Sequence, residues 1–159
     1  MANIPKEILK VDFQDYPLWR EANYKLLKQI TEEYNGTIIV PMTLTNKDYF
    51  NEIIGRLKKD DIEIKHFTLT ASKTTIQKRL RTRFEGKNSW AYLQIDNRLG
   101  LLSNNMFKEH ILTDNMSIDK IVEAIAASSN IALLPDKRTK GRKFIDRNLI
   151  KFKEIGWFK

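Results

Sequence analysis

Two arginines four residues apart, Arg79 and Arg83, close the segment TLTASKTTIQKRLRTR at residues 68–83. On a helix such a pair shares one face. Two guanidiniums side by side form a fork suited to an oxyanion such as a polyphosphate. The same spacing also describes an ordinary solvated basic face. A second candidate group is Asp12, Gln14, Trp19 and Arg20, which precede and open a predicted helix. Asp12 is a candidate base or metal-orienting carboxylate, and Trp19 is equally a candidate core residue. His66 and His110 have no acidic partner at ligand spacing, so no metal site is expected. No nucleophile–histidine–acid arrangement follows from the spacing. None of the six glycines (36, 55, 86, 100, 141 and 156) has another glycine five positions later, which excludes a GxxxxGK[ST] loop within this sequence. Gly86-Lys87-Asn88 has the GK pair but neither the upstream glycine nor the following hydroxyl. A nest of backbone N–H groups, a phosphate-gripping lysine and a hydroxyl on Mg²⁺ are the parts on which phosphoryl transfer relies.

Several elements must position these residues. Pro17 followed by LWREANYKLLKQITEEY predicts a helix with proline in its first turn and Trp19, Ala22, Leu26, Ile30 and Tyr34 on its apolar face. Asn35-Gly36 ends it. Thr37 to Val40 is β-branched and uncharged, the pattern of a strand buried on both faces. Thr45 is the expected cap of a helix reaching about Lys59, with Tyr49, Phe50, Ile53, Ile54 and Leu57 inward. A strand is expected over Ile62–Leu69, then a helix opened by Ser72, one starting at Asn88 or Ser89, a short strand at His110–Thr113, and a helix Ile118–Ala127 capped by Ser117. Strands alternating with helices imply crossover units and a three-layer α/β fold around a mostly parallel sheet.

Composition narrows the class. The chain has 159 residues, 42% hydrophobic and 30% charged, and no cysteine, so it is expected to be globular with neither disulfides nor thiolate metal sites. That fits a reducing cytoplasm. No apolar run approaches the length of a membrane-spanning helix. The net charge is +8, and the stretch from Asp136 onward holds nine basic residues against three acids, so +6 lies there. A basic appendage is therefore expected rather than a uniformly basic nucleic-acid-binding body.

Four segments, DFQDYPLWR, IIVPMTLTNKDYFNEIIGRL, HFTLTASKTTIQKRLRTRFEGKNSW and TDNMSIDKIVEAIA, resemble the bacterial tunicamycin-resistance proteins, and the resemblance covers nearly the whole chain. It implies a P-loop kinase-like fold with ATP and Mg²⁺ as cofactors and a nucleoside-like antibiotic as the molecule bound or modified. It places Arg79 and Arg83 in a lid over the nucleotide, Asp114 by the base, and Asp12, Trp19 and Arg20 toward the acceptor. Family members begin with a strand, the glycine loop, a helix and a second strand, and this sequence starts downstream of them. The expectation is thus a kinase-like domain over 1–134 without its phosphate loop. ATP turnover by these residues alone is not expected. A complementing N-terminal fragment, a non-catalytic binding module at the membrane surface and an inactive shortened gene product are the other readings.

Residues 135–159 are expected to form a basic linker and a C-terminal amphipathic helix. Phe144, Ile145, Leu149, Phe152 and Ile155 fall on one side of it, and Trp157 and Phe158 follow. Phe144, Phe152, Trp157 and Phe158 are the candidate membrane contacts, on the anionic inner face of the cell membrane. A helix docked on the protein's own body fits the pattern equally well. Nucleic acid is not an expected partner, because the aromatics keep helix-packing spacing.

Overall fold

The computed structural model describes residues 8–10, 12–107 and 109–154, of which Lys140 and residues 151–154 are described by backbone alone. The chain divides into two compact units, Met1–His66 and Phe67–Lys159.

In the first unit a single 3-10 turn, Phe13–Asp15, runs into helix α1, Pro17–Glu33. Pro17 sits at the first helical position, where its missing N–H costs nothing and its fixed φ is already helical. A second helical rod follows as α2 (Lys47–Phe50), a π-helical turn (Asn51–Gly55) and α3 (Arg56–Lys59). Its cap is Asn46, one residue later than the expected Thr45. The Asn46 side chain accepts from the N–H groups of Asp48 and Tyr49, while Thr45 is itself buried. An amide oxygen reaching the first turn is the stronger cap, and burial removes Thr45 from that role.

The inward face of α1 also differs from the expected stripe. Arg20 and Tyr24 are buried, whereas Leu26 is exposed. Both buried residues find partners on the second rod, so polar complementarity outweighs apolar spacing here. Ile53, Phe50 and Leu57 fill the space between the rods with Leu44 and Tyr24, and Phe50 meets His66 edge to face at 4.9 Å.

The expected strand Thr37–Val40 is not part of a ladder, and Ile39 is 85% exposed. A strand is defined by the partner that takes its backbone groups, and none lies alongside among the described residues.

The second unit carries the sheet. β1 (Thr68–Thr70) and β2 (His110–Leu112) pair in parallel, Thr68 opposite His110 and Thr70 opposite Leu112. The second expected strand, Ile62–Leu69, therefore forms only at its C-terminal end. Between the strands run α4 (Lys73–Arg81), α5 (Trp90–Leu93) and α6 (Ile95–Leu102), followed after β2 by α7 (Ile118–Ser128) and α8 (Lys140–Glu154). Serines cap three of them as expected: Ser72 accepts from Thr75, Ser89 from Tyr92 and Ser117 from Lys120. Among the described residues, Ala71, Leu80, Ile95, Phe107 and Ala126 are the buried apolar residues of this unit. Arg83 lies beyond the end of α4, so the two arginines do not share one helix face.

Candidate functional site

In the first unit the opening of α1 is built around a buried cation. Arg20 is 7% exposed. Its Nε donates to Glu52 at 2.6 Å, its Nη1 donates to the Gln14 carbonyl at 2.6 Å, and its plane lies 4.1 Å from the centre of the Tyr49 ring. A planar guanidinium can satisfy two acceptors at its edge and an aromatic face at once, which an ammonium cannot. The Tyr49 hydroxyl in turn donates to Asp15 at 2.9 Å, and that carboxylate beside it raises the phenol above its ordinary value.

Asp12 and Arg20 meet through one residue. Asp12 accepts the Gln14 N–H at 3.0 Å while Arg20 takes the Gln14 carbonyl, and the buried Gln14 side chain donates to the Thr43 carbonyl at 2.8 Å. Trp19 is half-buried and packs edge to face on Phe13 at 5.0 Å. Gln14, Asp15, Tyr49 and Glu52 thus belong to this group, of which only Gln14 stands out in the sequence by its place beside Asp12. Glu52 sits 32 residues from Arg20 and within the π-helical turn, so no local spacing relates the two.

Further along the same face, Arg56 pairs with Glu21 and covers the Tyr24 ring at 3.6 Å, while the Tyr24 hydroxyl donates to Asp60 at 2.6 Å. These contacts tie α1 to α3, and beside Asp60 an open polar cleft is lined by Lys28, Thr31, Glu32, Asp61 and Glu63.

In the second unit the C-terminal ends of both parallel strands converge on the start of α4, the edge where open α/β sheets place their ligands. Asp114, just after β2, accepts from the Ser72 N–H at 2.9 Å and from the Thr75 hydroxyl at 2.6 Å, and it also accepts from the Ser72 hydroxyl. The Ser72 hydroxyl first, then the Thr75 hydroxyl and the Ser72 N–H, hold the Asp114 carboxyl below its ordinary value. Arg79 donates from Nη1 to the Thr113 hydroxyl at 2.9 Å and from Nη2 to the Thr113 carbonyl at 2.8 Å, and that hydroxyl donates to the Thr70 carbonyl at 2.9 Å. Arg79 and Asp114 therefore clasp α4 to the ends of the sheet.

Arg79 and Asp114, which the resemblance implies for Mg²⁺–ATP, already have partners within the chain. The N-terminus of α4, where a phosphate would gain from backbone N–H groups and the helix dipole, already holds the Asp114 carboxylate. Arg79 is engaged by Thr113. No group of three His, Asp or Glu among the described residues is placed to hold a metal.

The candidate membrane contacts fall on α8 or beyond it. Phe144 is 70% exposed, and Ile145 and Leu149 are exposed with it. Lys143 and Arg147, one turn apart, both reach Asp119 of α7, at 3.7 and 2.9 Å. The Phe152 side chain, Trp157 and Phe158 lie outside the described residues. No described helix is long and apolar enough to cross a membrane.

No protein-family model and no curated protein matches the chain. Among solved structures it is similar to the tunicamycin resistance protein of Deinococcus radiodurans, with a TM-score of 0.69 and 26% identity over 81% of this chain and 75% of that one.

Proposed function

We propose that this chain is a tunicamycin-resistance-type protein that binds a nucleoside-like antibiotic and holds it. The likeness in fold to a tunicamycin resistance protein carries the reading. In the first unit the exposed edge of the Phe13–Trp19 pair offers an aromatic platform for a flat heterocycle. Arg20 acts behind that platform: buried and bonded to Glu52 and the Gln14 carbonyl, it fixes the turn that carries Phe13 and the helix that carries Trp19. Holding requires only a shaped, partly apolar surface with a few oriented polar groups. The kinase-like, three-layer form of this proposal, with Arg79 and Arg83 over a nucleotide and Asp114 by its base, requires a phosphate loop from a complementing fragment and release of Arg79 and Asp114 from their present partners.

Titration calorimetry of the folded chain with tunicamycin tests the proposal. Saturable heat that falls at least tenfold in affinity for Trp19→Ala is expected. The absence of saturable heat from folded wild-type protein overturns it. A parallel titration with Mg²⁺–ATP separates holding from nucleotide-dependent chemistry.

A second reading, association with an anionic membrane surface on the cytoplasmic side, is favoured by α8. Its Lys143 and Arg147 are turned to Asp119, and Phe144, Ile145 and Leu149 remain exposed on the rest of the helix. An amphipathic helix with its apolar residues left to solvent gains by lying at the headgroup boundary.

A further inference from the structure

Three helices of this chain end in the same hydrogen-bonded motif, and one of the three carries a residue that the motif disfavours. At the end of α3, Asp61 N–H donates to the Lys58 carbonyl and Ile62 N–H to Leu57. At the end of α7, Asn130 N–H donates to Ala127 and Ile131 N–H to Ala126. At the end of α4, Phe84 N–H donates to Arg81 at 3.0 Å and Glu85 N–H to Leu80 at 3.1 Å. Each motif needs a left-handed residue, and the three are Asp61 (φ 59°), Asn130 (φ 55°) and Phe84 (φ 61°). Aspartate and asparagine tolerate that region, whereas a bulky side chain occupies it at a cost. Phe84 recovers nothing by burial, since it is 77% exposed. Strain of this kind, held by a well-bonded turn, points to a use outside the unit's own packing.

The surroundings identify the use. Lys78, Arg79, Arg81, Arg83 and Lys87 face a single acid, Glu85, within ten residues, a net +4. With the +6 from Asp136 onward, the rest of the chain sums to −2. Lys78, Arg81, Arg83 and Lys87 have no acidic partner among the described residues, whereas Arg138, Arg142, Lys143 and Arg147 are each paired with Asp119, Asp136 or Asp146. Four cations without an acidic partner among the described residues therefore stand beside the strained phenylalanine. Just past the turn, Trp90 and Leu93 of α5 are exposed one turn apart, with Arg98 5.5 Å from the centre of the Trp90 ring.

We propose that the turn 81–87 and helix α5 form a membrane-contacting surface that inserts Phe84, Trp90 and Leu93 among anionic lipid headgroups while Arg81, Arg83 and Lys87 meet their charges. Single-stranded nucleic acid would also use cations and aromatic faces. Leu93 favours lipid, because an aliphatic side chain gains from acyl chains and nothing from base stacking. The proposal rests on the membrane reading of α8 for its choice of partner and adds a contact independent of that helix. One weak anchor gives marginal, reversible binding and two give stable binding.

Sedimentation of the full chain with phosphatidylserine–phosphatidylcholine vesicles, against pure phosphatidylcholine, tests it. Phe84→Asn is the decisive variant, since asparagine suits the left-handed position and the fold is not put at risk. The expected result is a partition coefficient at least about fivefold lower for Phe84→Asn, and lower by at least about tenfold for Arg81→Gln/Arg83→Gln, on anionic vesicles. Wild-type partitioning by both variants, with loss in Phe144→Ser/Leu149→Ser, overturns this surface and leaves the α8 reading intact. Failure of the wild-type chain to sediment with anionic vesicles overturns both. Phe84-dependent binding to a poly(U) oligomer without vesicle binding assigns the surface to nucleic acid instead. In Trp19→Phe/Trp157→Phe protein, brominated lipid should quench Trp90 fluorescence; unquenched emission from bound protein overturns the insertion.

Discussion

Arg20 illustrates how one side chain can set a whole local structure. Its guanidinium serves Glu52, the Gln14 carbonyl and the Tyr49 face together, so its removal leaves a buried carbonyl and a carboxylate short of a donor. Glu52 is 44% exposed on its side chain and can be rehydrated, which limits the loss. Arg20→Ala is expected to cost about 2 kcal/mol in urea unfolding. Arg20→Lys should recover less than half of it, because one ammonium cannot reach both acceptors and lie flat on the ring. Phe84 is the opposite case. Phe84→Asn is expected to raise stability by about 1 kcal/mol, read as a higher urea midpoint at unchanged slope.

At the scale of elements, the join between β2 and α4 depends on Ser72 more than a simple cap would. Its hydroxyl caps the Thr75 N–H, contacts Asp114, and lies 3.0 Å from the Thr74 and Thr75 hydroxyls, so Ser72→Ala removes more than a cap. A loss of about 1–2 kcal/mol is expected, above that of Ser117→Ala, which loses one capping bond only. The three serine caps are readable from the sequence because capping is a local event: Ser72, Ser89 and Ser117 each meet an N–H three residues on, whereas burial moves the cap of α2 from Thr45 to Asn46. The fate of Thr37–Val40 is not readable there, since its β-branched composition states a preference that only a neighbouring strand can realise. By hydrogen exchange, amides 37–43 should exchange far faster than those of α1, where each N–H is held within the helix.

At the scale of the molecule, charge placement governs the response to pH. Glu21 is held low by its hydrogen bond with Arg56, Asp60 by the Tyr24 hydroxyl and then Lys28, and Asp114 by the Ser72 and Thr75 hydroxyls. Carboxyls depressed in the folded state contribute stability that is present above their unfolded value and lost as pH falls through the folded one. Unfolding free energy should therefore be flat near neutrality and fall below about pH 4. Asp114→Asn should lower stability at neutral pH and shallow that acid slope. An unchanged slope would show that Asp114 is not held as described.

Much of this protein is local, and so the sequence by itself determined it: the start of α1 at Pro17, the serine caps, the parallel pairing implied by helices between strands, and the concentration of charge near Arg79–Arg83 and after Asp136. Backbone conformation, capping and charge density depend on residues a few positions apart. The tertiary structure alone decided what those residues touch. It placed Arg20 among Glu52, the Gln14 carbonyl and Tyr49, set Arg79 and Asp114 on the joint between β2 and α4, and left Phe84 strained and exposed in the turn after α4. Each outcome depends on partners 32 to 42 residues away or on a backbone angle. A hydrogen bond needs both atoms in place, and only the packed chain brings them there.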